Sequence, residues 1–271
     1  MTSRHFTTDQ PGAIVLSASI LGIHGVITVD ASEKCERASV TIRTDDEEGP
    51  AAEAVRTAEL GMNDGTLVAQ VTGEDHGSGI TQSVFTRGGR TTVIQSGGTI
   101  RGNVTGVTIV DGQVITGGSG TVVQHISPVE ITVTVPLNST VISQSDSSAL
   151  TTTGPLAAVS ADTQSGRVEV ERAQNLRAST MSGAVSIGAA VFARAKTMSG
   201  AIHVSALVRD GYLDTMSGRI QANAVGGGLI QAHTMSGAVD VTATPQAIQQ
   251  GFTVRASSMS GHVSTPRGCA R

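Results

Sequence analysis

One tetrapeptide recurs at a nearly constant interval through the C-terminal part of this 271-residue chain, and no other feature limits the fold so sharply. Thr-Met-Ser-Gly begins at Thr180, Thr197, Thr215 and Thr234; a near-copy, Ser-Met-Ser-Gly, begins at Ser258, and a degenerate Thr-Gln-Ser-Gly begins at Thr163. The glycines fall at Gly166, Gly183, Gly200, Gly218, Gly237 and Gly261, at intervals of 17, 17, 18, 19 and 24 residues. A unit this short cannot bury its own apolar face, so its stability has to come from stacking on the next unit. The period predicts a stack of near-identical coils.

Aligned on the glycine, the residues that follow read the same way in every unit. Val168 and Val170, Val185 and Ile187, Ile202 and Val204, Ile220 and Ala222, Val239 and Val241, then Val263, stand two and four places after it, with Glu169, Ser186, His203, Gln221 and Asp240 between them. A period of two marks a strand with its aliphatic set turned inward. The stretch before each tetrapeptide alternates as well. Leu176, Ala178 and Thr180 alternate with Arg177 and Ser179; Ala193, Ala195 and Thr197 with Arg194 and Lys196; Ile230, Ala232 and Thr234 with Gln231 and His233. A coil therefore has two strands and two bends, with a layer of Ala and Thr facing larger aliphatics. Large against small fills a thin interior without voids. That suits a chain whose only aromatic residues are Phe6, Phe85, Phe192, Tyr212 and Phe252.

The six glycines are the expected structural corners. A strand that turns sharply in every coil calls for one residue at positive φ, which glycine adopts without penalty, and the serine beside it can hydrogen-bond local backbone in the bend. Like residues in stacked coils stand about 4.8 Å apart, so the Thr and Ser hydroxyls can ladder along the axis. Met181, Met198, Met216, Met235 and Met259 then fall in one line at the corner. Either they fold over the sheet edge as flexible filling, or they form an apolar ridge for self-association or partner binding.

Upstream, residues 1–76 read as a β segment, with strands at 13–20, 26–30, 38–44 and 66–71 and one short helix over 51–60, opened by Pro50 and stopped by Gly61. Residues 77–128 are rich in Gly and Thr, with short β-branched runs, and read as a β insertion of short coils or hairpins; they have no Gly-X-Y period, which excludes collagen. An alternating strand ended by Pro136 then leads into repeats that occupy 129–271. The three parts can also form one continuous β unit. The expected fold class is all-β: a β-solenoid-like, β-helix-like stack of two-strand coils of 17–19 residues, with one short N-terminal helix.

The net charge of −4 argues against nucleic acid, whose phosphates need clustered Lys and Arg. Five aromatics offer no stacking platform for single strands. No apolar run is long and unbroken enough for membrane insertion or an export leader. A cytoplasmic location is the default expectation, and a surface location would require a non-standard export route. Cys35 and Cys269 lie far apart and read as inert thiols. His203, His233 and His262 fall in different registers, which argues against a shared metal. The acidic run 45–48 lacks the spacing of a calcium loop, and the glycine clusters at 97–98 and 117–120 have no phosphate-loop lysine. Asp162, Glu169, Glu171, Asp210, Asp214 and Asp240 form no column of the paired acids that a polysaccharide lyase or hydrolase needs. No catalytic residue, metal or cofactor is expected.

The recurring Ser-Gly with flanking alternation, together with the alternating strand 131–135 and Pro136, resembles the DUF4097 family, bacterial β-strand-repeat proteins that carry the name of adhesins. The likeness covers about 129–267, with a looser match at 13–71. It implies the repeat architecture and supplies no catalytic residue. The expected function is that of a non-enzymatic structural or interaction module, adhesin-like and self-associating, whose partner is a second copy or another protein. The alternatives are a carbohydrate-binding protein of the cell envelope, with a glycan partner resting on Tyr212 alone, and a polysaccharide-acting enzyme.

Overall fold

Alternation of apolar and polar residues sets most of the elements. The computed structural model describes residues 1–73, 81–87, 90–96, 107–110, 113–116 and 127–266. β1 (Thr2–Thr7), β2 (Val15–Leu21), β3 (Gly25–Ala31) and β4 (Ser39–Thr44) precede the helix α1 (Pro50–Thr57). β5 (Glu59–Asn63) and β6 (Thr66–Thr72) follow as an antiparallel hairpin. The helix expected over 51–60 thus ends early. Ala58 leaves helical geometry at φ −52 and ψ 136, because Glu59 to Asn63 gain a full set of backbone partners along β6. The hairpin turns at Asp64 and Gly65, both at positive φ (46 and 77), the residue pair that tight hairpins favour.

Two units emerge, residues 1–73 with 128–271, and residues 74–127. The second contains two antiparallel hairpins: β7 (Thr81–Arg87) with β8 (Arg90–Ser96), and β9 (Val107–Val110) with β10 (Gln113–Thr116). The remainder of the Gly/Thr-rich insertion lies outside the described residues.

In the larger unit, β11 (Val129–Val135) and β12 (Thr140–Ser145) lead into three long strands, each with a first and a second leg: β13 (Ala149–Thr163), β14 (Val168–Thr180) and β15 (Val185–Ser199). Shorter single legs follow: β16 (Ile202–Leu207), β17 (Gly211–Ser217), β18 (Ile220–Ala224), β19 (Leu229–Ser236), β20 (Val239–Ala243), β21 (Thr253–Ser260) and β22 (Val263–Ser264). Two parallel sheets result. The first runs β11, β3, the first legs of β13, β14 and β15, then β16, β18, β20 and β22. The second runs β6, β2, β12, the second legs of β13, β14 and β15, then β17, β19 and β21. Register holds from coil to coil, with Thr163, Thr180, Thr197, Thr215, Thr234 and Ser258 in one row.

Inward residues of both sheets merge into a single core of Val, Ile, Leu and Ala. Val185, Ile202, Ile220 and Val239 come from the first sheet, and Ala178, Ala195, Leu213 and Ala232 from the second, all of them buried. Each buried Val, Leu or Ile contributes about 1.5–3 kcal/mol relative to exposure and each Ala less, so the thin interior is stabilised by its length rather than its width.

Stacked coils leave unpaired N–H and C=O groups at their ends. At the N-terminal end, antiparallel strands take up these groups: β4 on β11 and β1 on β4 in the first sheet, and β5 on β6 in the second. α1 packs on β1, β4 and β6 and buries Ala51, Ala52, Ala54 and Val55. The expectation of a single helix needs correction. A second, α2 (Pro245–Gln249), occupies the longest interval, between Gly237 and Gly261. Pro245 presets the first-turn torsion, and the Thr244 hydroxyl caps the turn by accepting from the Ala247 N–H at 3.2 Å. The surplus residues are absorbed at the bend between β20 and β21, and the Ser-Gly corner keeps its place.

Candidate functional site

The six corner glycines stand above one another, but the cause differs from the expected one. Only Gly237 among them has positive φ, at 146°. Close approach is the common factor. A β-carbon on Gly166 would lie 1.9 Å from the Ser148 carbonyl oxygen, on Gly200 2.2 Å from that of Gly183, on Gly218 2.1 Å from that of Gly200, and on Gly261 1.9 Å from that of Gly237. Each corner rests backbone on backbone against the coil before it, and only a hydrogen fits at that α-carbon.

The methionines of the same motif turn away from the core. Met181 is 53% exposed, Met198 48%, Met216 47%, Met235 44% and Met259 76%. Four of the five are thus about half exposed, and Met259 more so. Thr197↔Thr215 and Ser199↔Ser217 pair directly, so Met198 and Met216 sit side by side; the same registers set Met216 beside Met235 and Met235 beside Met259. The outcome is a narrow apolar row along one margin of the second sheet.

A second surface lies on the outer face of that sheet, where a groove of about 570 Å³ crosses the second legs of β13, β14 and β15 and continues over β17 and β19. Phe192 and Tyr212 line it, 42% and 39% exposed, together with Arg177 and Arg194. Register brings these residues together: Arg177 pairs with Arg194, and Arg194 with Tyr212, on neighbouring legs. The Arg194 guanidinium carbon lies 5.3 Å and the Lys196 Nζ 5.5 Å from the Tyr212 ring centroid, within cation–π range. Among the described residues, no ion pair involves Arg177, Arg194 or Lys196. The one acid lining the groove, Asp210, accepts from the Leu229 N–H at 2.9 Å. Sequence reading missed this cluster. Phe192 stands one place before the inward Ala193 and so faces outward with Arg194, and the pairing of Ala193 with Gly211 sets that face beside Tyr212.

The titratable groups named from the sequence are not gathered. The His203 Nε2 is 3.2 Å from the Ser205 hydroxyl on the first sheet, whereas the His233 Nδ1 is 2.7 Å from the Ser257 hydroxyl on the second. Glu169 and Glu171 pair with the neighbouring Arg167 and Arg172 at the surface. Burial pushes the Cys35 thiol above its ordinary value, and the Asp30 carboxylate pushes it the same way. Among the described residues, no group of three or more His, Cys, Asp or Glu is placed to hold a metal ion, and no helix is long and apolar enough to cross a membrane.

These features define a class: a two-sheet parallel β-solenoid closed at its N-terminal end by antiparallel strands and a helix. The chain belongs to the DUF4097 family, whose profile, described as Toastrack DUF4097, matches residues 36–269. Its fold is similar to that of a putative adhesin from Bacteroides fragilis, with a TM-score of 0.54 and 14% identity over 97% of this chain and 97% of that one. A putative adhesin from Parabacteroides distasonis has a TM-score of 0.48 and 10% identity over 97% of this chain and 96% of that one. A putative lipid binding protein from the same species has a TM-score of 0.48 and 11% identity over 98% of this chain and 97% of that one. No curated protein matches the chain.

Proposed function

We propose that this protein is a non-catalytic, adhesin-like interaction module that associates with a second copy of itself, or with another protein, through its methionine row. The observation that carries the reading is the row itself: five apolar side chains in line on consecutive coils, each 44–76% exposed. Contiguous exposed apolar surface marks interaction sites more often than it marks neutral surface. Methionine, unbranched and polarisable, moulds to a partner without a preset shape. The surface ion pairs that take up Glu169 and Glu171 support a binding role over acid–base catalysis, and the name of the similar Bacteroides fragilis protein, a putative adhesin, agrees with adhesion in general terms.

Sedimentation velocity across a concentration range tests the reading. The intact chain should show a sedimentation coefficient that rises with concentration, and a Met198→Gln/Met216→Gln/Met235→Gln variant should stay monomeric. A chain that is strictly monomeric at high concentration would end the self-association reading. Location bears on the partner, since a cytoplasmic protein would act as a scaffold and a surface protein as an adhesin. Fractionation of the native host cell separates the two.

A further inference from the structure

We infer that the groove on the outer face of the second sheet is a binding site for an acidic polysaccharide, a chain of uronate-type sugars lying along the axis of the stack. This site is separate from the methionine row and does not depend on it.

Direction is the first argument. The groove crosses five successive legs, spaced about 4.8 Å apart, so it extends about 20 Å perpendicular to the strands. An extended polymer follows such a path, and the coil spacing is comparable with the advance of one ring along a glycan.

Charge is the second. Arg177 and Arg194 are direct neighbours on adjacent legs, a like-charge pairing that works against the sheet. Lys196 stands two residues beyond Arg194, and its register partner Asp214 makes no ion pair with it. Tyr212 holds Arg194 and Lys196 through its ring, which orients the cations without neutralising them. In a chain of net charge −4, Arg177 and Arg194 stand in no ion pair among the described residues and outnumber the single carboxylate that lines the groove, Asp210, so the groove is set for an anion. Planar guanidinium groups match carboxylates through two parallel hydrogen bonds.

The third argument is the mixture of apolar and open character. Phe192 presents an exposed ring on which the C–H face of a sugar can pack while its hydroxyl edges stay in water. An acyl chain lying in an open groove would remain half in water and lose much of the area-proportional gain that drives its burial. An acidic peptide would satisfy the arginines. Extended peptides, however, draw affinity from a free sheet edge, and the groove floor is made of legs already paired on both sides.

Fluorescence anisotropy with a labelled oligogalacturonate tests the assignment, with a neutral oligosaccharide of equal length and an oligoglutamate as competitors. Saturable binding is expected, weakened at least tenfold by Arg177→Gln or Arg194→Gln and about fivefold by Phe192→Ala. Arg177→Lys keeps the charge but loses the planar fork, and should weaken binding about threefold. The neutral oligosaccharide should compete at least tenfold less well than unlabelled oligogalacturonate. Arg167→Gln, outside the groove, and the triple methionine variant should bind like the intact chain. Circular dichroism melts separate loss of fold from loss of affinity. Competition by oligoglutamate as strong as by oligogalacturonate, absence of saturation, or equal losses in Arg167→Gln and Arg194→Gln would each overturn the proposal.

Discussion

The Gly183 amide donates to the Thr180 hydroxyl at 2.9 Å, inside its own corner. Gly166 does the same with Thr163 at 3.0 Å. From Gly200 onward the partners change. The Gly200 amide goes to the Ser217 carbonyl of the following coil at 3.1 Å and the Gly218 amide to that of Ser236 at 3.0 Å. The freed threonine hydroxyls turn to the preceding coil instead, Thr215 donating to the Gly200 carbonyl at 3.3 Å and Thr234 to that of Gly218 at 3.4 Å. The change falls where the interval between corners lengthens from 17 to 18 residues. One motif therefore serves two hydrogen-bonding schemes.

The two schemes predict unequal costs for the same substitution. Thr180→Val leaves the Gly183 amide without its hydroxyl acceptor in a buried corner and should cost about 1–3 kcal/mol. Thr215→Val keeps the Gly218 amide bonded to Ser236 and removes one long hydroxyl–carbonyl contact, worth about 1 kcal/mol or less. Urea unfolding of both variants ranks them, and equal losses would contradict the change of partners at Gly200.

The corner glycines allow a separation of torsion from contact. A β-carbon on Gly183 would stand 1.9 Å from the Gly166 carbonyl oxygen, with no positive φ at that residue. Gly183→Ala should therefore destabilise by about 1–3 kcal/mol through overpacking alone. Gly61 also lacks a positive φ and has open space where a β-carbon would be, so Gly61→Ala should stay within about 0.5 kcal/mol of the intact chain. Equal midpoints for the two alanine variants would remove close approach as the reason for the glycine column.

What could be read from residues alone follows from how local each feature is. Val185 and Ile187 declare their inward side by alternation, since side-chain direction in a strand is a nearest-neighbour property. The stacking of the glycines is visible because a fixed period is itself a statement about register. The torsions of Gly183 and Gly200 are not visible, because a glycine needed for close approach and one needed for positive φ are the same letter. α2 hid inside the long interval before Gly261, where five residues fall below the length at which helical periodicity can be recognised. β1 hid because its burial pattern has no fully buried position to anchor a two-residue period. The groove was least legible of all. Phe192, Arg194 and Tyr212 meet only after two bends have set the pairing of legs that lie 18 residues apart at Ala193 and Gly211.

Cys35 gives a pH-dependent expectation. Burial first, and the Asp30 carboxylate with it, raise the thiol above its ordinary value, so the thiolate fraction at pH 8 is smaller than for an unperturbed cysteine. Because the thiolate is the reactive form, alkylation of Cys35 by iodoacetamide, followed by peptide mapping, should be slower than that of free cysteine at pH 8. Its rate should keep climbing above pH 9. A Cys35 that reacts at pH 7 as fast as free cysteine would contradict the direction of the shift.

The cap of α2 tests how far a disturbance travels through the stack. In Thr244→Ala the Ala247 amide loses its hydroxyl acceptor, at a cost of about 1 kcal/mol, while Thr244→Ser retains the oxygen and should be close to neutral. The bend that α2 forms is fastened to the next leg by the Phe252 amide, which donates to the Ala247 carbonyl at 3.1 Å. Coils of a solenoid contact only their neighbours, so stability is a sum of local and nearest-neighbour contributions. Amide exchange at Phe252 and Val254 should accelerate about fivefold in Thr244→Ala, the change that about 1 kcal/mol imposes on an opening equilibrium. Protection in β2 and β6, many coils away in the second sheet, should stay as it is. Uniform acceleration along the whole chain would mean that the coils open as one cooperative block and that the loss of one cap is shared by all of them.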